Sequence, residues 1–442
     1  TLDGVKKTVQ TDSSGILRAN YAAGEVRPGE YEAKITAYTV DAAGNELERI
    51  DSVMVDTFVR NFAVSTNPVT ADNIVNNAEQ GQGVTLSGTT EPGASVTVVV
   101  EGVSRVATVD AAGNWTARFS GFDLPDGTYQ TTAQISTEDR AGNTATTSKT
   151  FQVDTEVVPL TSTSQPGGSD GVVSEAEAAQ GFTLTGQVEQ GSAVEVTIGG
   201  QRMTAQVSGS TWSVAVPASV IPTADGDNVS IQIAATDRAG NTKSITETMV
   251  VDNVAPDAPD MTAILWDQSQ APRGIILETS DHDVSIVRVG AGGTQTVGFN
   301  EQDLNGGNET NYAFNNVVPD GSHLVVTATD SAGNSTGTYV VLGDPDVSRS
   351  NVSLASNIGG REIDTIDLEF TEEATLTITE AQIVAMTGED NTVRVLGNSD
   401  ETVRITGATR TGARFEDGKN FDVYELGDAT VLIDDDINNV TI

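Results

Sequence analysis

The chain of 442 residues has no cysteine, few basic residues and no long apolar segment. Without cysteine, no disulfide bond can stabilise it, and with only two histidines a zinc site is disfavoured. The 23 lysines and arginines form no cluster, which argues against a surface that binds nucleic acid or anionic membranes. No run of about 18 apolar residues occurs, so no membrane-spanning helix is predicted.

The sequence also has little that could carry catalysis. His282 and His323 are isolated, no Ser-His-Asp arrangement is suggested, and no glycine-rich phosphate loop follows a strand and opens a helix. Paired carboxylates are so plentiful that they cannot specify a glycosidase. We therefore expect the protein not to be an enzyme.

What the sequence has in excess is negative charge. Its 63 acidic residues give a formal net charge of −40. Such a chain repels itself when compact unless divalent cations or a salty medium neutralise or screen the charge. A halophile protein without specific metal sites is one reading, and a protein with bound cations is the other.

A five-residue motif, Asp-x-Ala-Gly-Asn, recurs along the chain. It occupies 41–45, 139–143, 237–241 and 330–334, and its first three copies are 98 residues apart. A Val-Asp pair follows each of these three copies and places aspartates at 56, 154 and 252, with the same spacing. A period of this length is the size of a whole domain, so it indicates tandem domains and not a solenoid of small repeats.

Each repeat is predicted to be a β-sandwich. Threonine and valine alternate over short segments, and Gly or Asp-Gly turns separate these segments, which is typical of half-buried strands. About seven strands in about 100 residues describe an immunoglobulin-like fold. Trp115 and Trp212 fall at nearly matching positions and are predicted to be core residues, not a sugar-stacking platform. The predicted class is all-β, with tandem Ig-like β-sandwich domains in an extended array.

The repeat divides the chain into five predicted domains, which we call units 1 to 5. They cover residues 1–56, 57–154, 155–252, 253–345 and 346–442. Unit 1 matches only the second half of the repeat, and the chain begins at Thr1 without a signal peptide, so we expect a segment of a longer protein. Unit 4 is a divergent sandwich. Unit 5 is predicted to be a mostly-β domain with one short helix, which a capping box at Thr379–Gln382 opens and which ends at Met386.

The acidic residues of the repeat are expected to meet where consecutive domains join. We expect the aspartate of each hairpin loop to approach the linker aspartate that follows it, pairing Asp139 with Asp154 and Asp237 with Asp252. The next domain is expected to add a pair of acids seven residues apart. Carboxylates, a carboxamide and backbone carbonyls are the hard oxygen ligands that Ca²⁺ prefers, whereas flexible loops rarely form the strict octahedron of Mg²⁺.

The candidate Ca²⁺ ligands are Asp41, Asn45, Asp56, Asp72, Glu79, Asp139, Asn143, Asp154, Asp170, Glu177, Asp237, Asn241, Asp252, Asp330 and Asp344. The alternative is that Asp and Asn simply make good turns, and that the motif is only a hairpin loop. The run Asp434–Asp436 is interpreted as a solvated acidic turn in preference to a further cation site.

The order of the motifs resembles a known group. Asn-Ala-Glu, Ser-Gly-Thr, Pro-Gly-Ala, Asp-Ala-Ala-Gly-Asn-Trp, Asp-Gly-Thr-Tyr, Asp-Arg-Ala-Gly-Asn and Val-Asp follow one another as in the bacterial Ig-like repeats of giant RTX adhesins. The resemblance is clear over 1–252 and weak over 253–345. It implies export by type I secretion, an extracellular place on the surface of a Gram-negative bacterium, a role in cell adhesion or biofilms, and interdomain Ca²⁺ that stiffens an extender region.

Three functions compete on this basis. The first is a Ca²⁺-stiffened stalk that extends and positions distal binding modules, as a monomer whose partners are neighbouring domains of the same chain. The second is a ligand-binding region in 253–442, for a surface glycan or a protein, because these domains break the repeat. The third is an accessory β-sandwich of a secreted polysaccharide-degrading enzyme. None of them involves nucleic acid or membrane insertion.

Overall fold

The computed structural model describes residues 1–269, 271–290, 293–343, 351–352, 354, 358, 361–371, 373–388 and 390–442. Strands account for most of the regular structure, in mainly antiparallel sandwiches up to unit 4 and in stacks of parallel strands in unit 5. The predicted class, tandem all-β Ig-like domains, is therefore confirmed. No helix in these residues is long and apolar enough to cross a membrane.

Unit 1 contributes one long antiparallel hairpin. Its strands are β1 (Glu30–Val40) and β2 (Glu46–Asp56). Apolar side chains on this hairpin, including Ile50 and Met54, are more than half exposed at 62% and 63%.

Unit 2 is a sandwich of a four-stranded and a five-stranded sheet, ordered β3-β5-β9-β8 and β4-β11-β10-β6-β7. Its elements are β3 (Ala63–Val64), β4 (Ile74–Val75), α1 (Asn77–Gln82), β5 (Val84–Thr89), β6 (Ser95–Val100), β7 (Val103–Val106), β8 (Thr108–Val109), β9 (Asn114–Phe119), a 3₁₀ turn (Gly121–Asp123), β10 (Thr128–Glu138) and β11 (Thr144–Asp154).

Unit 3 repeats this topology strand for strand, as β12-β14-β18-β17 and β13-β20-β19-β15-β16. Its elements are β12 (Leu160–Ser162), β13 (Val172–Val173), α2 (Glu175–Gln180), β14 (Phe182–Val188), β15 (Ala193–Ile198), β16 (Gln201–Thr204), β17 (Gln206–Ser208), β18 (Thr211–Val216), a 3₁₀ turn (Ala218–Val220), β19 (Asp227–Thr236) and β20 (Thr242–Val251).

Alternating side chains build the core of each sandwich. In β9, Trp115, Ala117 and Phe119 point inward and are at most 2% exposed, while the residues between them face solvent. Trp212 occupies the matching place in unit 3 at 1% exposure. Each tryptophan donates its indole N–H to a backbone carbonyl, that of Thr89 or Thr161. Both are core residues, as predicted.

Unit 4 has one sheet of its own, β21-β22-β26-β25, and shares its second sheet with unit 5. Its strands are β21 (Met261–Trp266), β22 (Pro272–Glu278), β23 (Asp283–Gly290), β24 (Gly293–Thr296), β25 (Phe299–Leu304), β26 (Glu309–Phe314), β27 (His323–Thr329) and β28 (Ser335–Val341). In units 2 and 3 a short strand of the same unit, β4 or β13, pairs in parallel with the last strand.

Unit 5 contains two stacks of parallel strands. Its elements are β29 (Asn351–Val352), β30 (Ile363–Asp367), β31 (Thr375–Thr377), α3 (Glu380–Met386), β32 (Thr392–Leu396), β33 (Thr402–Arg404), β34 (Thr409–Glu416), β35 (Lys419–Leu426), β36 (Ala429–Asp434) and β37 (Asn439–Thr441). The chain alternates between the stacks β30-β32-β36 and β29-β31-β33-β37 and encloses a core of branched aliphatic residues between them.

The nine-stranded sheet β24-β23-β27-β28-β30-β32-β36-β35-β34 joins units 4 and 5. Strand β30 pairs in parallel with β28, in the place that β4 and β13 take in units 2 and 3. One core cluster combines Val325 and Tyr339 of unit 4 with aliphatic residues of unit 5. The predicted helix is present as α3, with Thr379 as its N-cap and a capping box to Gln382.

Candidate metal centres at the domain joints

The Asp-x-Ala-Gly-Asn motif forms the turn of a hairpin. In Asp237–Asn241, one carboxylate oxygen accepts the backbone N–H of Asn241 at 2.8 Å and the other accepts its side-chain amide at 2.7 Å. Gly240 has φ of +90°, which a residue with a Cβ rarely adopts. The other copies make the same carboxylate contacts. The motif therefore specifies a turn by local hydrogen bonding alone.

The expected pairing of Asp139 with Asp154 is wrong. The turn at Asp139–Asn143 closes one end of the β10–β11 hairpin, whereas Asp154 pairs with Thr128 at the other end. Ten residues of strand, at about 3.3 Å each, separate the two ends by roughly 30 Å. The same register separates Asp237 from Asp252 in unit 3.

The turn aspartates instead meet the last residue of the preceding unit. At the joint of units 1 and 2, Asp139 lies with Asp56 and Glu91, and at the joint of units 2 and 3, Asp237 lies with Asp154 and Glu189. In each group, one oxygen of every carboxylate lies within 4.8 Å of the other two. Each cluster thus combines carboxylates from two consecutive units.

Sequence reasoning missed Glu91 and Glu189. Both stand in the turn that precedes β6 or β15, beside the hairpin turn in space but distant from it in sequence. They are themselves 98 residues apart, so the repeat spacing was a signal that could have identified them.

Burial and like charges raise proton affinity at the joint of units 2 and 3. Desolvation, with Asp237 as a neighbouring carboxylate, raises the pKa of Asp154. Desolvation, with Asp154, Asp237 and Glu156 nearby, raises the pKa of Glu189. Asp237 itself is only 8% exposed. A cation at this place would relieve the repulsion that these shifts reflect.

At the domain joints, the asparagine of the turn forms a direct bridge between units. The side-chain amide of Asn241 donates to the backbone carbonyl of Asp154 at 2.8 Å, and its oxygen accepts the backbone N–H of Asn77 in unit 2 at 2.9 Å. Asn143 donates in the same way to the Asp56 carboxylate at 3.2 Å. The carboxamide oxygen that the sequence suggested as a Ca²⁺ ligand is therefore already bonded to protein at Asn241.

Four predicted ligands lie elsewhere than expected. Asp72 and Glu79 precede and open α1, which contacts the turn of unit 3 and so lies at the end where the chain leaves unit 2. Glu79 accepts the N–H of Asn76 in a capping box, and Glu177 does the same for Ser174 in unit 3. The expectation that these acids, with Asp170, join the preceding domain is wrong. None of them belongs to a three-carboxylate cluster within the described residues.

The joint of units 3 and 4 has only part of this arrangement. Asn334 donates to the Asp252 carbonyl at 2.9 Å and accepts the N–H of Glu175 at 2.7 Å. Desolvation, then the charges of Asp330 and Asp225, raise the pKa of Asp252, while His282 lowers it. The N–H of Thr279 donates to a carbonyl as those of Thr90 and Val188 do, and this places the next residue, Ser280, where units 2 and 3 have Glu91 and Glu189. The third carboxylate is thus replaced by a hydroxyl.

The remaining candidates do not form interdomain clusters. Asp41 and Asn45 form an exposed turn at the end of the β1–β2 hairpin that is distant from Asp56. Asp344 lies outside the described residues. Asp434–Asp436 do form a close acidic group, but the ammonium of Lys419 lies 3.2 Å from Asp434.

A fifth copy of the motif shows what the turn does without a joint. Asp110–Asn114 leads into β9 and repeats the contacts of the other copies, with Asn114 donating to Asp110 at 2.8 and 2.9 Å. The side chain of Asn114, followed by its backbone N–H, lowers the pKa of Asp110. Asp110 is exposed and belongs to no described carboxylate cluster. The turn and the cluster are therefore separate properties.

Comparison with known proteins identifies two of the units. Residues 63–155 and residues 174–253 match two families, each described as a bacterial Ig-like domain. The chain therefore contains two bacterial Ig-like domains, and the resemblance to such repeats is confirmed. No curated protein sequence matches the chain.

Solved structures of bacterial adhesins are similar to parts of the chain. One concerns host cell surface retention of a 1.5-MDa bacterial ice-binding adhesin, at 26% identity, covering 64% of this chain and 96% of that one with a TM-score of 0.36. A Ca²⁺-stabilised, ice-binding adhesin of an Antarctic bacterium is 26% identical, with coverages of 70% and 80% and a TM-score of 0.34. A tetra-tandem repeat from the extending region of a large adhesion protein is 21% identical, with the same coverages and a TM-score of 0.28.

Proposed function

We propose that the chain is a segment of an extracellular bacterial adhesin in which Ca²⁺ stiffens the joints between units 1 and 2 and between units 2 and 3. Adhesin is the description of the similar solved structures and of the repeats that the sequence resembles. The Ca²⁺ assignment rests on this chain's own carboxylates. The observation that carries it is that each of the two clusters draws acids from both sides of a joint.

The donor set fits Ca²⁺ in chemistry and in size. Ligand oxygens at about 2.3–2.6 Å from one ion lie no more than about 5 Å from one another, and the cluster oxygens lie within 4.8 Å. All the ligands would be hard oxygens from loops and strand ends, which suits the flexible coordination of Ca²⁺ better than the octahedron of Mg²⁺. In this assignment Asp56, Glu91 and Asp139 hold one ion, and Asp154, Glu189 and Asp237 hold another.

The mechanical consequence follows from which units supply the ligands. Without metal, three carboxylates repel across each joint. The asparagine bridges oppose that repulsion, and at the joint of units 1 and 2 so does Arg60, 3.6 Å from Glu91. With metal, the repulsion becomes attraction, and separating the units would cost the metal its ligands. The ion thereby stabilises the docked arrangement and favours a rod that positions distal modules.

We assign no interdomain metal ion to the joint of units 3 and 4. It has two carboxylates, with Ser280 in place of the third. Units 4 and 5 are already held together by a continuous sheet. We therefore expect two interdomain ions in the described chain, not three.

The proposal is tested on the whole chain by calorimetric titration with Ca²⁺ and by small-angle scattering with and without EGTA. We expect about two tight sites, and a maximum dimension that becomes larger and better defined with Ca²⁺. Equal effects of Mg²⁺ or sodium chloride would favour the halophile reading. An unchanged dimension and no measurable binding would refute the proposal.

A further inference from the structure

A cavity of about 420 Å³ lies where units 4 and 5 meet. The shared sheet runs on from β28 into β30 and β32, beyond the edge of the other sheet of unit 4. Thr365, Asp367 and Leu396 of these strands form what we call the floor of the cavity, and the segment before β21 forms one of its sides. The volume falls within the range of about 300–1,000 Å³ that is usual for small-molecule sites.

The lysine and the arginine of the cavity are already paired within the protein. Lys419 binds Glu369 and Asp434, and Arg394 binds Asp417. These cations therefore have little charge left to offer an anionic ligand.

Asp417 is thus paired, but three other acidic residues of the cavity are in the opposite situation. Asp257, Asp260 and Glu278 stand on its exposed rim, and no ion pair involves them within the described residues. The rim therefore offers three uncompensated negative charges around one opening. Such a surface favours a cationic ligand over a neutral or anionic one.

Asp367 provides the buried acceptor. It is 1% exposed, lines the cavity and, among the described residues, accepts a hydrogen bond from the backbone N–H of Glu369 at 2.9 Å. Burial, then the charges of Glu369 and Asp260, raise its pKa to about 8, although Lys419 acts in the opposite direction. A buried carboxylate is costly unless it is paired, which favours a cationic partner at this place.

A single metal ion does not fit these acids. Within the described residues, no three of them bring oxygens within 4.8 Å of one another, unlike the joint clusters. A larger cation could contact the floor and the rim together. Ser280 and Thr365 contribute hydroxyl groups to the cavity lining, and Leu277, Val284 and Leu396 contribute apolar side chains to it.

We propose that this cavity binds an organic ammonium group carried on a hydroxylated ring, as in an amino sugar. The ammonium would pair with Asp367 on the floor and with the rim carboxylates, and the ring hydroxyls would face Ser280 and Thr365. This inference goes beyond the proposed stalk function, because it adds a ligand site in the part of the chain that departs from the repeat. It does not depend on Ca²⁺ at the joints.

The test uses the whole chain in saturating Ca²⁺ with glucosamine as the probe and N-acetylglucosamine as its matched neutral control. Saturation-transfer NMR and calorimetry should show glucosamine binding at least about tenfold more tightly, since acetylation removes the charge that the carboxylates recognise. Asp367→Asn should weaken glucosamine binding by about tenfold or more, whereas Glu425→Gln, on an exposed strand position outside the cavity, should not change it.

Glu278→Gln provides a second variant whose rim position is exposed, so its folding should be unaffected. It should weaken binding by a few-fold. Because bound ammonium favours the ionised carboxylate, wild-type affinity should rise up to about tenfold from about pH 5.5 to about pH 6.5, and Asp367→Asn should abolish that rise. Binding of both sugars equally, of neither, or of n-butylamine as tightly as glucosamine would overturn the proposal. So would displacement of glucosamine when Ca²⁺ is raised further above the concentration that saturates the joints.

Discussion

Replacing Glu189 by glutamine should have opposite effects with and without Ca²⁺. The substitution keeps the size of the side chain and removes one of the three charges at the joint of units 2 and 3. Without metal, it removes two of the three repulsive pairs and should stabilise the docked joint. With metal, it removes a charged ligand and should weaken the joint.

The magnitude follows from the spacing. Two unit charges 4.8 Å apart repel by about 3.5 kcal/mol at an effective dielectric constant of about 20, and by about 0.9 kcal/mol in bulk water. Because Asp154 and Glu189 are partly exposed, solvent screening favours the lower part of that range. We expect Glu189→Gln to stabilise the metal-free joint by about 1–2 kcal/mol. In Ca²⁺ at a hundredfold excess over Kd, the wild type gains about 2.7 kcal/mol, most of which the variant should lose.

Hydrogen exchange on the whole chain can measure directly how often this joint opens. The amide of Asn241 is bonded to Asp237 within the cluster turn, and peptides that contain it report on local opening. In EGTA these peptides should exchange more slowly in Glu189→Gln than in the wild type, and in Ca²⁺ they should exchange faster. Glu247→Gln makes the same change of charge in unit 3 outside the cluster and should leave exchange unchanged in both conditions.

Two results would refute the reasoning. If Glu189→Gln speeds exchange equally with and without Ca²⁺, Glu189 acts only through protein contacts and no metal is involved. If Ca²⁺ protects the variant as much as the wild type, the ion binds elsewhere.

Three further perturbations follow from the same geometry. Ser280→Glu should supply the missing carboxylate at the joint of units 3 and 4 and raise the Ca²⁺ stoichiometry by one in calorimetry; an unchanged stoichiometry would mean that the position is not equivalent. In EGTA, the raised pKa values of Asp154 and Glu189 stabilise the folded chain at pH values below the ordinary carboxyl range, and this stabilisation is lost as the pH rises through the raised values. The melting temperature should therefore fall with rising pH over that range, and Ca²⁺ should reverse the trend. Gly186→Ala should destabilise unit 3 by roughly 1–3 kcal/mol in denaturant unfolding, because its Cβ would lie 2.6 Å from the Trp212 ring; a neutral effect would contradict the packing described.

The repeat spacing and strand alternation were sufficient to predict tandem sandwiches, core tryptophans and the helix at Glu380–Met386. These features depend on local patterns of two or four residues and on a period that the sequence shows directly. The parallel stacks of unit 5 were not foreseen. Their successive strands begin at 363, 392 and 429, and α3 and the β34–β35 hairpin interrupt the spacing that would have revealed a repeat.

The Asp-x-Ala-Gly-Asn motif separates what the sequence alone determined from what the tertiary structure decided. The motif determines a turn at every copy, including Asp110–Asn114, because all the hydrogen bonds involved lie within five residues. Whether that turn joins a carboxylate cluster depends on which end of its hairpin faces the preceding unit. The strand register decides which end that is, and it places Asp237 next to Asp154 and Glu189. No local sequence pattern connects these three residues. Contacts between residues distant in sequence follow from packing, and only the folded array specifies them.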